Sequence, residues 1–393
     1  MPELLPFAGL RYRDRTDGSL SDVVCPPYDV ITAAQREALI ARSPHNVVRV
    51  ELPDGDYTGA ASTLASWESA GILERDAVPA LYGYRMHYKG PGGEARRTTG
   101  VIGALVLEPP GNGILPHEQT TPKAKTDRLE LLRAARANTS PIWCLCAEPG
   151  LTAATGEPQG EIWSAVDEDG NLHELWAITD PAQQHRVGEL AAQRPLLVAD
   201  GHHRYETALA YMQEAGSTAG DEPGSGAGAV MALVVELAPE ELEVLAIHRA
   251  VTGLAPGTSV RAAFEDGYEL RPSTSTGPAI LKEMSEAGAV GLVTREGVFL
   301  AVPHQGSTEA SYRLDSQRVD ATLAALPAHE LTYEHDVPAT LAAVGSGALD
   351  AAVLCRPATI DQIAATAAGG DRMPPKTTFF WPKPRTGLVL RRW

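Results

Sequence analysis

The run at residues 194–212, RPLLVADGHHRYETALAYM, constrains the fold more than any other stretch of this chain. Its apolar block Leu196-Leu197-Val198-Ala199 has the length of a buried strand. The block breaks at Asp200-Gly201, after which Tyr205, Ala208, Leu209 and Met212 recur at helical spacing. A strand, a glycine turn and a helix are thus read in order, with His202, His203 and Arg204 at the helix start. Backbone N–H groups and the positive end of the helix dipole point out of such a junction. An Arg and two His placed there suit an anion, above all a phosphate.

Composition narrows the function classes. The chain has 393 residues, 44% of them hydrophobic, which is enough for two or three domains with real cores. Its net charge of −17 argues against a broad nucleic-acid surface but leaves room for a local basic pocket. The start MPELLPFAGLRYRD lacks the basic and apolar blocks of a signal peptide, and no apolar run is long enough for a membrane span. Cys25, Cys144, Cys146 and Cys355 are few and scattered, which reads as reduced thiols and a cytoplasmic protein.

Strands and helices alternate without a regular βαβ rhythm, so an α+β (mixed α/β) class is expected. Residues 32–42 read as a helix with Thr32 as N-cap, and residues 58–71 as an amphipathic helix. NVVRVEL, ALYGYRMHY, VIGALVLEP, IWCLC and AVMALVVEL read as strands. The Gly/Ser/Pro-rich stretch at 214–228 reads as a surface connection. From about residue 252 the pattern shifts to antiparallel pieces, one of them near Tyr312, followed by helices around 317–326 and 337–346. The division expected is an α/β region at 1–250 and an α+β region at 251–393.

Three segments carry chemistry. In DGHHR, a plain reading makes Asp200 the helix cap and the histidines solvated. Adjacent His202 and His203 diverge by about 100° on a helix, so the pair is a poor metal site. In PHEQTTPKAKTDR, His117 and Glu118 lie in a turn and not at the spacing of a zinc helix. With Lys123, Lys125 and Arg128 following, they suit an acid or base beside an anion, although a charged surface loop has the same composition. In MPPKTTFFWPKP, Lys376 and Lys383 flank two threonines and three aromatics. Lys376 could reach a phosphate while the aromatics pack a core, since alternate residues of a strand face opposite ways. No P-loop, GxGxxG after a first strand, or GxSxG is present.

CPPYDVI, HNVVRVELP, HEQTTPKAKTDRLELL, ANTSPIW, ADGHHRYETAL, LAIHRAV and RMPPKTTFFWPK stand in the order found in the bacterial and archaeal "domain of unknown function 1015" family, and the chain resembles that family along essentially its whole length. The DGHHR turn is also similar to the phosphate turn of the ParB/sulfiredoxin superfamily, which includes sulfiredoxin, CTP-binding ParB proteins and free serine kinases. That resemblance implies a ParB/sulfiredoxin-like core with a C-terminal α+β region. It implies that Gly201, His202, His203 and Arg204 hold nucleotide or substrate phosphates, with Asp200 near the transferring group. His202 stands where sulfiredoxin has its catalytic Cys, which argues against sulfinate reduction.

The leading expectation is a phosphotransferase or phosphohydrolase acting on a small metabolite, serine or phosphoserine first. Glu118, His117, Asp200 and His202 are the expected catalytic residues. Gly201, His203, Arg204, Lys123 and Lys376 are the expected binding residues. ATP or ADP is the expected nucleotide, and Mg²⁺ would sit near Asp200; no metal site built by the protein itself, no nucleic acid and no membrane are expected. The alternative is a ParB-like nucleotide-binding regulator without phosphoryl transfer.

Overall fold

In the computed structural model the chain divides into two units, Met1–Glu243 with Pro382–Trp393, and Val244–Trp381. The structure describes residues 1–13, 19–109, 111–116, 125–216, 226–275, 277–307, 312–369 and 373–393. Helices and sheets are mixed in both units, so the fold is α+β.

The first unit is built on one large sheet. Its strands run in the order Ile114–Pro116, Leu196–Asp200, Ile142–Cys146, Ala229–Glu236, Ala95–Val106, Leu81–Lys89, Leu172–Ile178 and Ile162–Val166, with Leu4–Leu5 paired beside Ala95–Val106. Leu196–Asp200 runs parallel to Ile114–Pro116 and antiparallel to Ile142–Cys146. These strands are apolar on both faces, as strands buried on both sides must be. Leu196, Val198, Ile142, Cys144, Cys146, Val230 and Val234 share one core with Tyr205 and Ala208 of the helix His202–Glu214. Cys144 and Cys146 therefore do face the same way, and all four cysteines are free and buried.

The second unit carries a six-stranded antiparallel sheet ordered Tyr268–Ser273, Gly297–Pro303, Val290–Thr294, Ala351–Leu354, His248–Thr252 and Glu330–Glu334. Its strands alternate as period-2 geometry demands. Ala351 and Val353 pack with the helices Val260–Glu265 and Asp315–Ala324, while Ala352 and Leu354 pack with Ala279–Ala287 and Val337–Ser346.

Local signals were mostly obeyed. Thr32 caps the helix Ala33–Arg42 in a capping box with Gln35, and Tyr57–Ser69 is helical. NVVRVEL is a correction, because Val48–Glu51 is a helical turn and not a strand. Asn46 explains it. Its side-chain oxygen accepts from the Val48 N–H, and its amide nitrogen donates to the Asp22 and Val24 carbonyls. With Val47, Val48 and Val50 all fully buried, packing overrides their β propensity. Tyr312 likewise is not in a strand: its carbonyl accepts from Arg318 Nη2, just ahead of the helix Asp315–Ala324.

The segment Pro382–Trp393 is tied into the first unit. Arg391–Arg392 pairs with Ala137–Asn138, and Leu390 and Thr386 bridge to Leu10 and Cys25.

Candidate functional site

The strand Leu196–Asp200 loses register against Ile142–Cys146 between Val198 and Asp200, so that Asp200 lies opposite Trp143. Such a bulge re-aims the strand end. Gly201 follows at φ 85°, the left-handed region that glycine enters without penalty. A Cβ there would lie 3.1 Å from Arg204 Nε, Arg204 Nη2 and Ile142 Cγ2. Glycine thus both permits the turn and makes room for the Arg204 guanidinium.

Gly201, which has no side chain to cap with, is the N-cap of the 13-residue helix His202–Glu214. Asp200 is therefore not the helix cap. Its Oδ2 accepts from Arg204 Nη2 at 2.8 Å, and its Oδ1 accepts from Lys383 Nζ. Burial alone would push the Asp200 carboxyl up, but Lys383 and Arg204, with His202 beyond them, lower it to about 2. Burial likewise works against the Arg204 charge, and Asp200, helped by Asp29, Tyr28 and Glu51, raises its pKa.

Arg204 reaches a second layer. Its Nη1 donates to the Pro141 carbonyl at 2.5 Å and to Ser140 Oγ at 3.1 Å. Its Nε, buried, has no hydrogen-bond partner among the described residues. Beside it is a small cavity of about 50 Å³ lined by Glu51, Arg128, Ser140, Arg204 and Thr207. Thr207 is 3% exposed, and its Oγ1 is also unpartnered among the described residues. Arg128 Nη1 donates to the Glu51 carbonyl at 2.7 Å, and its guanidinium lies 4.2 Å from the ring centre of Tyr28. Burial, opposed by Arg204, raises the Tyr28 hydroxyl to about 12, so it stays protonated.

The structure therefore brings together Asp200, Gly201, His202, His203 and Arg204. His117, Glu118 and Lys123 lie outside the described residues. Lys376 belongs to the second unit, at φ 60°, with its carbonyl accepting from Arg249 Nη1 at 2.9 Å. The lysine on Asp200 is Lys383, and its only sequence signal is the pair Pro382 and Pro384, which fix extended backbone around it. Glu51 and Ser140 had no signal, because Glu51 hides in an apolar run and Ser140 in a polar turn.

Both Asp200 oxygens face cations, so a divalent cation on Asp200 would have to displace Arg204 or Lys383. Among the described residues no group of three His, Cys, Asp or Glu side chains could hold a metal ion. Nor, among them, is any helix long and apolar enough to cross a membrane.

Three solved structures are similar over most of the chain. A free serine kinase in complex with AMP is 17% identical, covering 72% of this chain and 95% of its own, at a TM-score of 0.37. A variant of free serine kinase in complex with ADP is 16% identical, with the same coverage and a TM-score of 0.39. SbnI from Staphylococcus aureus, truncated at its C-terminus, is 11% identical, covering 73% and 87% at a TM-score of 0.41. No curated protein matches this chain. A family model does match, over residues 4–326, a span that holds every segment from CPPYDVI to LAIHRAV. The chain belongs to that family, described as protein of unknown function (DUF1015).

Proposed function

We propose that the Asp200–Arg204 turn holds a phosphate group and that the protein transfers or hydrolyses it on a small metabolite. One observation carries this reading. Two cations, Arg204 and Lys383, converge on a single carboxylate at the start of a helix whose N-cap is a glycine. Without a ligand, Asp200 neutralises part of that positive field. With one, Arg204, Lys383 and the backbone N–H groups at 202–204 supply the donors that phosphoryl oxygens need.

Phosphoryl transfer depends chiefly on positioning and charge neutralisation, and these residues provide both. In the forward direction a metabolite hydroxyl oxygen bonds to the terminal phosphorus of ATP or ADP. The bridging P–O bond breaks, and the shortened nucleotide leaves with the bond electrons. The hydroxyl proton passes to Glu118 or His117. His202, adjacent to Asp200, is the next candidate for handling that proton. Lys123 remains proposed as an additional charge stabiliser. Serine with ATP or ADP, and phosphoserine alone, are the first substrates to test.

Incubation with each pair, followed by detection of phosphoserine, serine or free phosphate, tests the reading. Turnover abolished in Arg204→Ala supports it. Nucleotide binding without turnover of any substrate would make the protein a nucleotide-binding regulator. No turnover and no binding by calorimetry would overturn the assignment of the turn to phosphate.

A further inference from the structure

Glu51 is 1% exposed, yet among the described residues no cation pairs with its carboxylate. It meets two hydroxyls instead. Thr139 Oγ1 donates to Oε2, and Ser140 Oγ donates to Oε1 at 3.0 Å. A carboxylate out of water is costly, and two hydroxyl donors offset only part of that cost. What the carboxylate does to Ser140 supplies a reason for it.

A serine hydroxyl has one proton, a carboxylate only accepts, and a guanidinium only donates. Ser140 must therefore give its proton to Glu51 and turn a lone pair to Arg204, whose Nη1 donates to it at 3.1 Å. We infer that Glu51 is a positioning residue for Arg204. By holding the Ser140 proton it presents an acceptor to the guanidinium and fixes the fork beside the phosphate-suited turn. The backbone of Glu51 adds to this, since its carbonyl holds Arg128 at the same cavity. The functional consequence rests on the reading of Arg204 as a phosphate-holding residue.

The test separates position from packing. In protein labelled with ¹⁵N-arginine, the Arg204 guanidinium signals are assigned by their loss in Arg204→Lys. Glu51→Leu keeps the volume and removes the acceptor, and Ser140→Ala removes the relay. Each should loosen the Nη1 arm of the Arg204 fork, which keeps the Pro141 carbonyl and Asp200, and the double variant should loosen it no further. Glu51→Gln should rescue a slow fork, because its amide oxygen can still accept from Ser140 while its NH₂ turns to Thr139. A purely structural role predicts a different pattern: Glu51→Leu would lower stability by stranding the Thr139 and Ser140 hydroxyls and would leave the motion of the Arg204 fork unchanged. Affinity for ADP and for inorganic phosphate, read by calorimetry, should fall about tenfold in Glu51→Leu and in Ser140→Ala, the effect of one charge-assisted hydrogen bond. A fork as rigid in both variants as in the parent overturns the inference, whatever the protein binds. A freed fork in a protein that never binds phosphate or ADP leaves Glu51 as the positioner and overturns the proposed function instead. If Glu51→Leu does not fold, Ser140→Ala makes the same measurement.

Discussion

Arg204 in the first unit and Arg249 in the second are both buried guanidiniums beside a carboxylate, and they are finished differently. Arg249 is 0% exposed, and each of its nitrogens has a partner. Nε and Nη2 meet Asp320, and Nη1 meets the carbonyls of Ile247 and Lys376. Arg204 shares its carboxylate with Lys383 and leaves Nε unpartnered among the described residues; a cavity borders each arginine, so the donors and not the space set them apart. A guanidinium whose donors are all used stabilises a fold. One with a donor to spare among the described residues, beside a helix start at a glycine, contributes less to the fold than it could.

The contrast can be broken in four ways. The largest effect is expected for Arg249→Met, which strands two carbonyls. It should cost about 3 kcal/mol of stability, because two carbonyls lose a donor while the part-exposed Asp320 turns to water. Urea unfolding measures this, and a loss below about 1 kcal/mol would make Arg249 as dispensable to the fold as we hold Arg204 to be.

The second is a difference in acid response. Burial, with Arg249 and His335 adding to it, lowers the His248 imidazole from 6.5 to about 4. Between those values the unfolded chain takes a proton that the folded chain refuses, so stability falls as pH drops through that window, by about 3 kcal/mol at most. His248→Gln should remove that step from a series of unfolding curves. Asp200, lowered from 3.8 to about 2, keeps its full contribution above pH 3.8 and loses it only below.

Third, Arg204→Lys should weaken ADP or phosphate binding about 30-fold, near 2 kcal/mol, because a lysine cannot fork. Its stability should fall by about 1 kcal/mol, because lysine keeps the charge opposite Asp200 but cannot also serve the Pro141 carbonyl and Ser140. A stability loss comparable with that of Arg249→Met would erase the distinction between the two arginines. The smallest effect is expected for Gly201→Ala, about 1–2 kcal/mol from a Cβ forced into the left-handed region. Because that Cβ would crowd Arg204 Nε, binding should weaken along with stability.

How much of this was legible in the sequence depended on the distance between partners. The turn was readable because its strand, glycine and helix are contiguous, and Tyr205 and Ala208 are buried as their spacing predicts. The helix cap at Thr32 is local too. Val48–Glu51 was not readable as a helical turn, because Asn46 settles it through the carbonyls of Asp22 and Val24. Lys383 was harder still. It meets Asp200 only once 183 positions of chain have folded between them, and no periodicity reports such a pairing. Lys376 has the same charge and a similar Pro-flanked setting, so sequence chemistry could not choose between the two lysines.

The segment Pro382–Trp393 joins the first unit after the whole second unit has been made. On the ribosome the first unit therefore waits, with the Asp200 carboxylate lacking one of its two cations and Ala137–Asn138 an unpaired edge. Residues Met1–Glu243 alone carry the DGHHR turn without Lys383, and a nascent chain cut short anywhere before that lysine holds the motif without the completed charge cluster. The order of synthesis thus sets when Asp200 gains its second cation: only after residues 244–381 have been made.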